Sequence, residues 1–420
     1  VTWAAYGRVT DAPSKPDIRN ALAIAAAVFL MLIYSQAWVF PLMGEKANEA
    51  AAGLIRALYI PAYAAGVFLL ALTPLATLKA AMRQPFLILL LLIAGASYFW
   101  SISPDQTTRR LVALYATTLG GVVIGARWTW AALSEVMATC FAVLAALTLA
   151  VCLAMPDVGR MPDLFPGAWR GLWTEKNALG GNMTIGFVLL MSAAVLNPRR
   201  RWLWGGFAVV ALFLVIMSTS KTSLVSLILG FGGLVIVAMA RRSPAMSIAT
   251  TWLVVLGIGL MAAVAIFASD AVLDILGKDA TLTGRTKIWA AAMRQIELNP
   301  MTGYGYGAVW DEKGVWGPLA WIVKDAGFKP QHAHNAWIEQ WLGQGIFGLA
   351  AFSLFYAQTL GAAVAAVFRD RGAYLAVPFL VVYTLMTLTE SVAVTYNDLR
   401  WVLFTAIAVK LAWPDRKIAA

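Results

Sequence analysis

The chain has 420 residues, 61% hydrophobic and 13% charged, with a mean hydropathy of +0.75 and a net charge of +11. A water-soluble core needs far less apolar sequence, so membrane-spanning runs are expected. The two cysteines, Cys140 and Cys152, share one apolar run, which argues against a disulfide framework or a zinc site.

Apolar runs fall near 21–40, 57–78, 86–100, 111–126, 131–154, 178–196, 202–217, 222–240, 248–268, 337–367, 373–389 and 401–412. The chain opens at Val1, and its first run is longer than a signal-peptide core, so it reads as a first span. About twelve spans of an all-α integral membrane protein are predicted. They divide the chain into spans one to nine (1–268), a large outer loop (269–336) and spans ten to twelve (337–420). With alternating sides, the whole excess of +11 collects on one face and the other is neutral. Clusters such as Arg199-Arg200-Arg201 and Arg241-Arg242 make that face cytoplasmic, with both termini. The basic balance therefore reports topology and lipid headgroups, not nucleic acid.

The spans carry almost no charge, which lowers a pump or ion-coupled transporter reading. The loop at 269–336 is the longest, and such loops usually serve function. Within it Arg285 to Asn299 reads as an amphipathic helix with Ile288, Trp289, Ala292 and Ile296 on one face. Thr283 is the expected N-cap and Pro300 the stop. The helix is expected on the membrane surface with Trp289 at headgroup level.

Helix N-termini prefer anions, yet this chain places cations at outward-facing helix starts. Arg109 and Arg110 lie near the start of span four, Lys176 and Asn177 open span six, Lys221 opens span eight, and Arg285 and Lys287 sit in the first turn of the loop helix. Such cations become favourable when an anion binds there, and a diphosphate is the natural candidate. For any one of them, anchoring to lipid phosphate serves equally well; recurrence favours the ligand.

The only histidines, His332 and His334, precede span ten in Gln331-His332-Ala333-His334-Asn335. Histidine exchanges protons near neutral pH, though a histidine at a span entry can equally cap a helix. In an extended chain the two face opposite ways, so only one points into a given site. Lacking a third ligand at clear spacing, the pair predicts no metal, and no cofactor is expected. Asp311, Glu312 and Asp325 form no carboxylate pair of glycosidase type.

Four segments resemble the O-antigen ligase and Wzy-type polymerase superfamily of bacterial inner membranes. They are Arg170 to Gly180 with Asn177; Ser220-Lys221, where the commoner second residue is Arg; Thr283-Gly-Arg285 to Trp289 with Asn299-Pro300 and Gly303-Tyr-Gly305; and His334-Asn335 followed by Gly345-Ile-Phe-Gly348. The resemblance implies a GT-C-like membrane glycosyltransferase with a periplasmic active site. It implies a glycan donor on undecaprenyl diphosphate and, for a ligase, a lipid A–core oligosaccharide acceptor; a polymerase would extend another lipid-linked repeat. It makes His334 and Arg285 catalytic, with Arg170, Lys176, Asn177, Lys221, Arg109, Arg110, Lys287 and Asn335 as substrate-binding candidates. Transfer would be metal-independent and inverting. A lipid-linked-sugar flippase is the rival from another class, and the uncharged spans speak against it.

Overall fold

The computed structural model describes residues 18–44, 49–162, 165–267, 280–310, 316–413 and 415. Among these the chain is helical, with no strand and one isolated bridge between Arg160 and Trp169. The helices of eight residues or more are α1 (Ile18–Tyr34), α2 (Glu49–Leu72), α3 (Pro74–Ala81), α4 (Pro85–Ala96), α5 (Pro104–Arg127), α6 (Trp130–Ala154), α7 (Lys176–Leu196), α8 (Arg201–Met217), α9 (Lys221–Ala240), α10 (Pro244–Phe267), α11 (Ala280–Leu298), α12 (Pro318–Ala326), α13 (Ala336–Arg369), α14 (Ala373–Thr389) and α15 (Leu399–Ala412).

Every predicted apolar run lies on one or two of these helices. Not all of the twelve expected spans coincide with a long apolar helix. Six helices among the described residues are long and apolar enough to span a bilayer, and seven if the pair around Gln84, bent by 87°, counts as one. Helices α1 and α14 are apolar but shorter, with 17 residues each, at the lower limit of a span. Helix α5 carries Asp105, Arg109 and Arg110 in its outer turns and lies deep in the bundle. Gly121 and Gly125 of α5 meet Thr405 and the Ala406 carbonyl of α15 so closely that neither position has room for a Cβ. Small residues four apart let two helix backbones approach in this way. The result is a multi-pass membrane bundle.

Helix α14 runs antiparallel to α7 and α9. Gly181 of α7 faces Met386, and Gly230 of α9 faces Val382. At ~1.5 Å per residue, the rise from Lys221 to Gly230 nearly equals that from Val382 to Glu390, so these ends are level. Asn335, just before α13, reaches the Leu388 carbonyl from Nδ2 at 3.4 Å. The starts of α7, α9 and α13 and the end of α14 therefore share one end of the bundle.

Helix α13 is broken at Gly345, whose φ is +64° and ψ −166°. A Cβ there would run into the Met301 carbonyl, so only glycine fits. The turn at 302–307 fills the break: Tyr304 N donates to Leu342 O at 3.1 Å, Gly305 N to Gly343 O at 2.8 Å, and Ile346 N to Pro300 O at 2.9 Å. The glycine-rich turn and the Gly345 motif, separate in sequence, are thus one packing unit. Helix α11 starts at Ala280, three residues before the expected N-cap Thr283. Its apolar face is not spread on the membrane. Ile288, Ala291, Ala292 and Ile296 are buried against Val309, Ile322 and Leu342, because α12 and the outer turns of α13 supply the apolar partner.

Candidate active site

Three side chains from three distant segments meet at the shared end. His334 Nδ1 lies 3.1 Å from Glu390 Oε2, and Arg285 Nη2 donates to Glu390 Oε1 at 2.8 Å. Each has a local reason to be there. Glu390 caps the C-terminus of α14. Arg285 projects from α11, which is tied to the histidine segment by Trp289 Nε1 donating to Ala333 O at 2.9 Å. Asn335 is the N-cap of α13, its Oδ1 accepting from Trp337 N at 3.0 Å and Ile338 N at 3.2 Å. That cap aligns the preceding histidine with the helix start.

The expected alternation of the two histidines does not hold. His334 adopts φ +50°, a left-handed conformation that reverses the chain locally. Both rings then fall on one side, with centroids 4.0 Å apart, and His334 N donates to His332 Nδ1 at 3.2 Å. Burial first, then the charges of His334, Arg400 and Arg285, lower the His332 pKa to about 4, so His332 is neutral at neutral pH. Burial on its own would raise Glu390. The hydrogen bond with His334 and the charges of Arg285 and Arg400 outweigh it and hold the carboxyl below its usual value. Glu390 is therefore a carboxylate at neutral pH. A carboxylate facing Nδ1 can accept only a proton carried on that nitrogen, and a neutral imidazole so oriented presents its lone pair on Nε2, the arrangement a general base needs.

Beside the histidines lies a cavity of about 260 Å³, walled by His332, Arg110, Glu339, Trp310, Gln344 and Tyr396 among others. Glu339 accepts from Ala333 N and Ser391 Oγ, each at 3.1 Å, and from Trp310 Nε1.

The predicted cations divide into groups. Arg285 is in the centre. Arg110 lines the cavity, its guanidinium donating to the Gly307 carbonyl and lying 5.7 Å from the centre of the Tyr396 ring. Lys176 and Lys221 stand together at the level end of α7 and α9: Lys176 Nζ reaches Thr219 Oγ1 at 3.5 Å and lies over the Phe165 ring, while Ser220 caps the helix that Lys221 opens. Asn177 follows in the first turn of α7. Arg109 and Lys287 are exposed. Arg170 stands apart from these. It is 5% exposed, donates from Nε to Val158 O at 2.9 Å and covers the Phe40 ring at 4.4 Å, so it holds the 155–173 loop. Asp325 pairs with Arg294 at 2.8 Å; Asp311 and Glu312 lie outside the described residues.

Glu390 and Arg400 were missed by the sequence. Both flank the short connection between the last two apolar runs, where Arg400 pairs with Asp398. Their one sequence signal was charge at two span ends. With Glu390, the histidines gain the third donor that spacing had denied them, and the three groups could converge on a cation. Both oxygens of Glu390 are already engaged, by Arg285 and His334, and the charges of Arg285 and Arg400 oppose a metal ion there.

Residues 206–353 match the family described as O-Antigen ligase. The chain is also 30% identical over 201 residues to the "Exopolysaccharide production protein ExoQ" of Rhizobium meliloti (strain 1021). That alignment covers 44% of this chain and 44% of the relative, so the match spans less than half the relative's length. The matched family segment holds Lys221, Arg285, Lys287, His334 and Asn335 but neither Glu390 nor Arg400. The resemblance to the O-antigen ligase and Wzy-type polymerase superfamily carried by the motifs is thereby borne out.

Proposed function

We propose that this chain transfers a glycan from undecaprenyl diphosphate to an acceptor hydroxyl at the periplasmic face of a bacterial inner membrane, without a metal. The supporting observation is Glu390 bridging His334 and Arg285, which sets a candidate base beside a cation. The acceptor oxygen attacks the anomeric carbon while its proton passes to His334 Nε2. The bond from that carbon to the diphosphate oxygen breaks, and the diphosphate leaves with the electron pair. Displacement from the opposite side inverts the anomeric centre. Arg285 stabilises the charge that grows on the leaving group, with Lys176, Asn177 and Lys221 at the level helix starts and Arg109 and Lys287 at the rim holding the rest. Lys221 acts as a point charge where Arg would grip two oxygens at once. Asn335 serves by capping α13 and so fixing His334.

The acceptor we assign first is a lipid A–core oligosaccharide, receiving the glycan en bloc; the match of residues 206–353 to a family described as O-Antigen ligase supports a ligase in general. A second reading, polymerisation on a lipid-linked repeat, has the exopolysaccharide name of the ExoQ relative in its favour. Purified protein, a radiolabelled lipid-linked glycan and each acceptor in turn, all in EDTA, separate them. A single en bloc addition to lipid A–core supports the ligase, and stepwise lengthening on the carrier supports the polymerase. Strict dependence on an added divalent cation would overturn the metal-free scheme.

A further inference from the structure

The transfer scheme gives Glu339 no task, yet its carboxyl ties together the segments that carry the reacting groups. Oε2 accepts from Ala333 N and from Ser391 Oγ, each at 3.1 Å, and Oε1 accepts from Trp310 Nε1. Ala333 lies between His332 and His334, and Ser391 follows Glu390. A single oxygen therefore joins the chain neighbours of both partners in the His334–Glu390 contact. The amide and indole N–H groups can only donate, so each oxygen has the surroundings of an acceptor-only, ionised carboxyl.

The other end of Ala333 is held as well. Its carbonyl accepts from Trp289 Nε1 at 2.9 Å, and Trp289 stands four residues after Arg285, on the same face of α11. Ala333, fully buried, thus has its N–H anchored by α13 and its C=O by α11. The next residue is His334, at φ +50°, a conformation that a non-glycine residue keeps only where its surroundings enforce it. The scaffold repeats the reacting contacts one step along the chain: Glu339 to Ser391 beside His334 to Glu390, and Trp289 to Ala333 beside Arg285 to Glu390.

Resting on the transferase reading above, we infer that Glu339 is a positioning residue: through Ala333 and Ser391 it keeps the His334 ring in line with Glu390. The aligned contact itself is one bond of 3.1 Å between groups 56 residues apart. Its side chains are 31% and 28% exposed, so burial alone does not fix it. Without Glu339 the two segments lose their common anchor, the ring turns from the carboxylate, and its proton is no longer confined to Nδ1. A displacement of about 1 Å is enough to cost ~10²-fold in rate.

The chain has only two histidines, so the full-length protein labelled with [15N]histidine reports both rings directly by NMR. They are told apart by tautomer. His332 Nδ1 accepts from His334 N and leaves its proton on Nε2, whereas His334 carries its proton on Nδ1 toward Glu390. Glu339→Leu, which removes every acceptor at that position, shifts His334 toward a mixture of tautomers. It lowers kcat by about 10- to 10²-fold and leaves the affinity for inorganic pyrophosphate unchanged. Ser391→Ala, which cuts only the tie on the Glu390 side, moves both readouts in the same direction and by less. It carries the comparison if Glu339→Leu does not fold. Arg241→Ala controls for general loosening: its guanidinium donates to the Val367 and Asp370 carbonyls at 2.7 and 2.6 Å, at the far end of α13. It lowers the thermal midpoint and leaves the His334 tautomer alone. An unchanged tautomer in both Glu339→Leu and Ser391→Ala, pyrophosphate affinity falling in step with kcat, or the same tautomer change in Arg241→Ala overturns the assignment. The transferase reading fails separately, if His334→Ala retains turnover; the histidine spectrum still reports whether Glu339 aligns the ring.

Discussion

Replacing Glu390 by glutamine isolates the role of the residue that joins base and cation. The side chain keeps its size but has one acceptor oxygen where the carboxylate has two. In the wild-type protein those oxygens serve Arg285 at 2.8 Å and His334 at 3.1 Å. If the amide oxygen keeps Arg285, the amide nitrogen faces His334 Nδ1. The imidazole must then accept there and carry its proton on Nε2, where it can no longer act as a base. If the amide turns over, Arg285 loses its partner instead. Each charge-assisted bond is worth about 1.5–3 kcal/mol. The side chains of Glu390, His334 and Arg285 are 28%, 31% and 18% exposed, so the lower half of that range applies. The loss of a general base costs ~10²–10⁴ in rate, and the wrong tautomer of a triad histidine costs about 10⁴. Glu390→Gln should therefore lower kcat by at least about 10²-fold, with donor binding changed far less, measured with purified protein and a labelled lipid-linked glycan. A fall of less than about threefold would refute the reasoning, because Glu390 would then be neither orienting His334 nor fixing its proton.

Further outcomes follow from the same geometry. Gly345→Ala should lower the thermal midpoint of the detergent-solubilised protein, because φ +64° and the Met301 carbonyl leave no room for the methyl group; the strain costs at least about 1–3 kcal/mol, and an unchanged midpoint would contradict the account of the break. Arg170→Ala should destabilise the protein by about 1–3 kcal/mol through the lost contacts to Val158 and Phe40 while pyrophosphate affinity holds; a weakened affinity in a protein of normal stability would restore Arg170 to the substrate site. His332 has its pKa depressed in the folded state, from 6.5 to about 4, so the unfolded chain binds its proton first. Its contribution is full above pH 6.5 and is lost as pH falls from 6.5 toward 4. Unfolding followed across that window should show a smaller acid loss in His332→Gln than in wild type, and equal losses would remove the assignment.

Much of this was legible in the sequence, for identifiable reasons. Apolar runs became helices because burial or lipid contact demands them, whereas Asn335, read from its motif as a substrate-binding candidate, has its side-chain oxygen on the first free N–H groups of α13. Arg285 and His334 were found because each lies in a local motif. The motif glycines Gly303, Gly305 and Gly345 were visible, but their common cause was not: they make a turn and a broken helix fit together over forty residues of separation. Glu390 stayed hidden because its value is wholly tertiary, and no local pattern marks a helix-terminal glutamate as the partner of a histidine 56 residues away. The left-handed conformation of His334 was equally invisible, since alternation assumes an extended chain that Glu390 and the Asn335 cap do not allow. Hydropathy marks apolar helices without regard to length, and α1 and α14, with 17 residues each, lie at the lower limit of a span. Likewise the apolar stripe of α11 said only that one face is covered, and protein, not lipid, covers it.

The most direct test of the central claim is single-turnover glycan transfer by His334→Ala beside wild type, in EDTA, with donor binding measured on the same preparations. The account predicts that the variant retains the lipid-linked donor while transfer falls by about 10²-fold or more. Transfer at the wild-type rate would show that the proton leaves by another route and that the His334–Glu390–Arg285 cluster is not the catalytic centre.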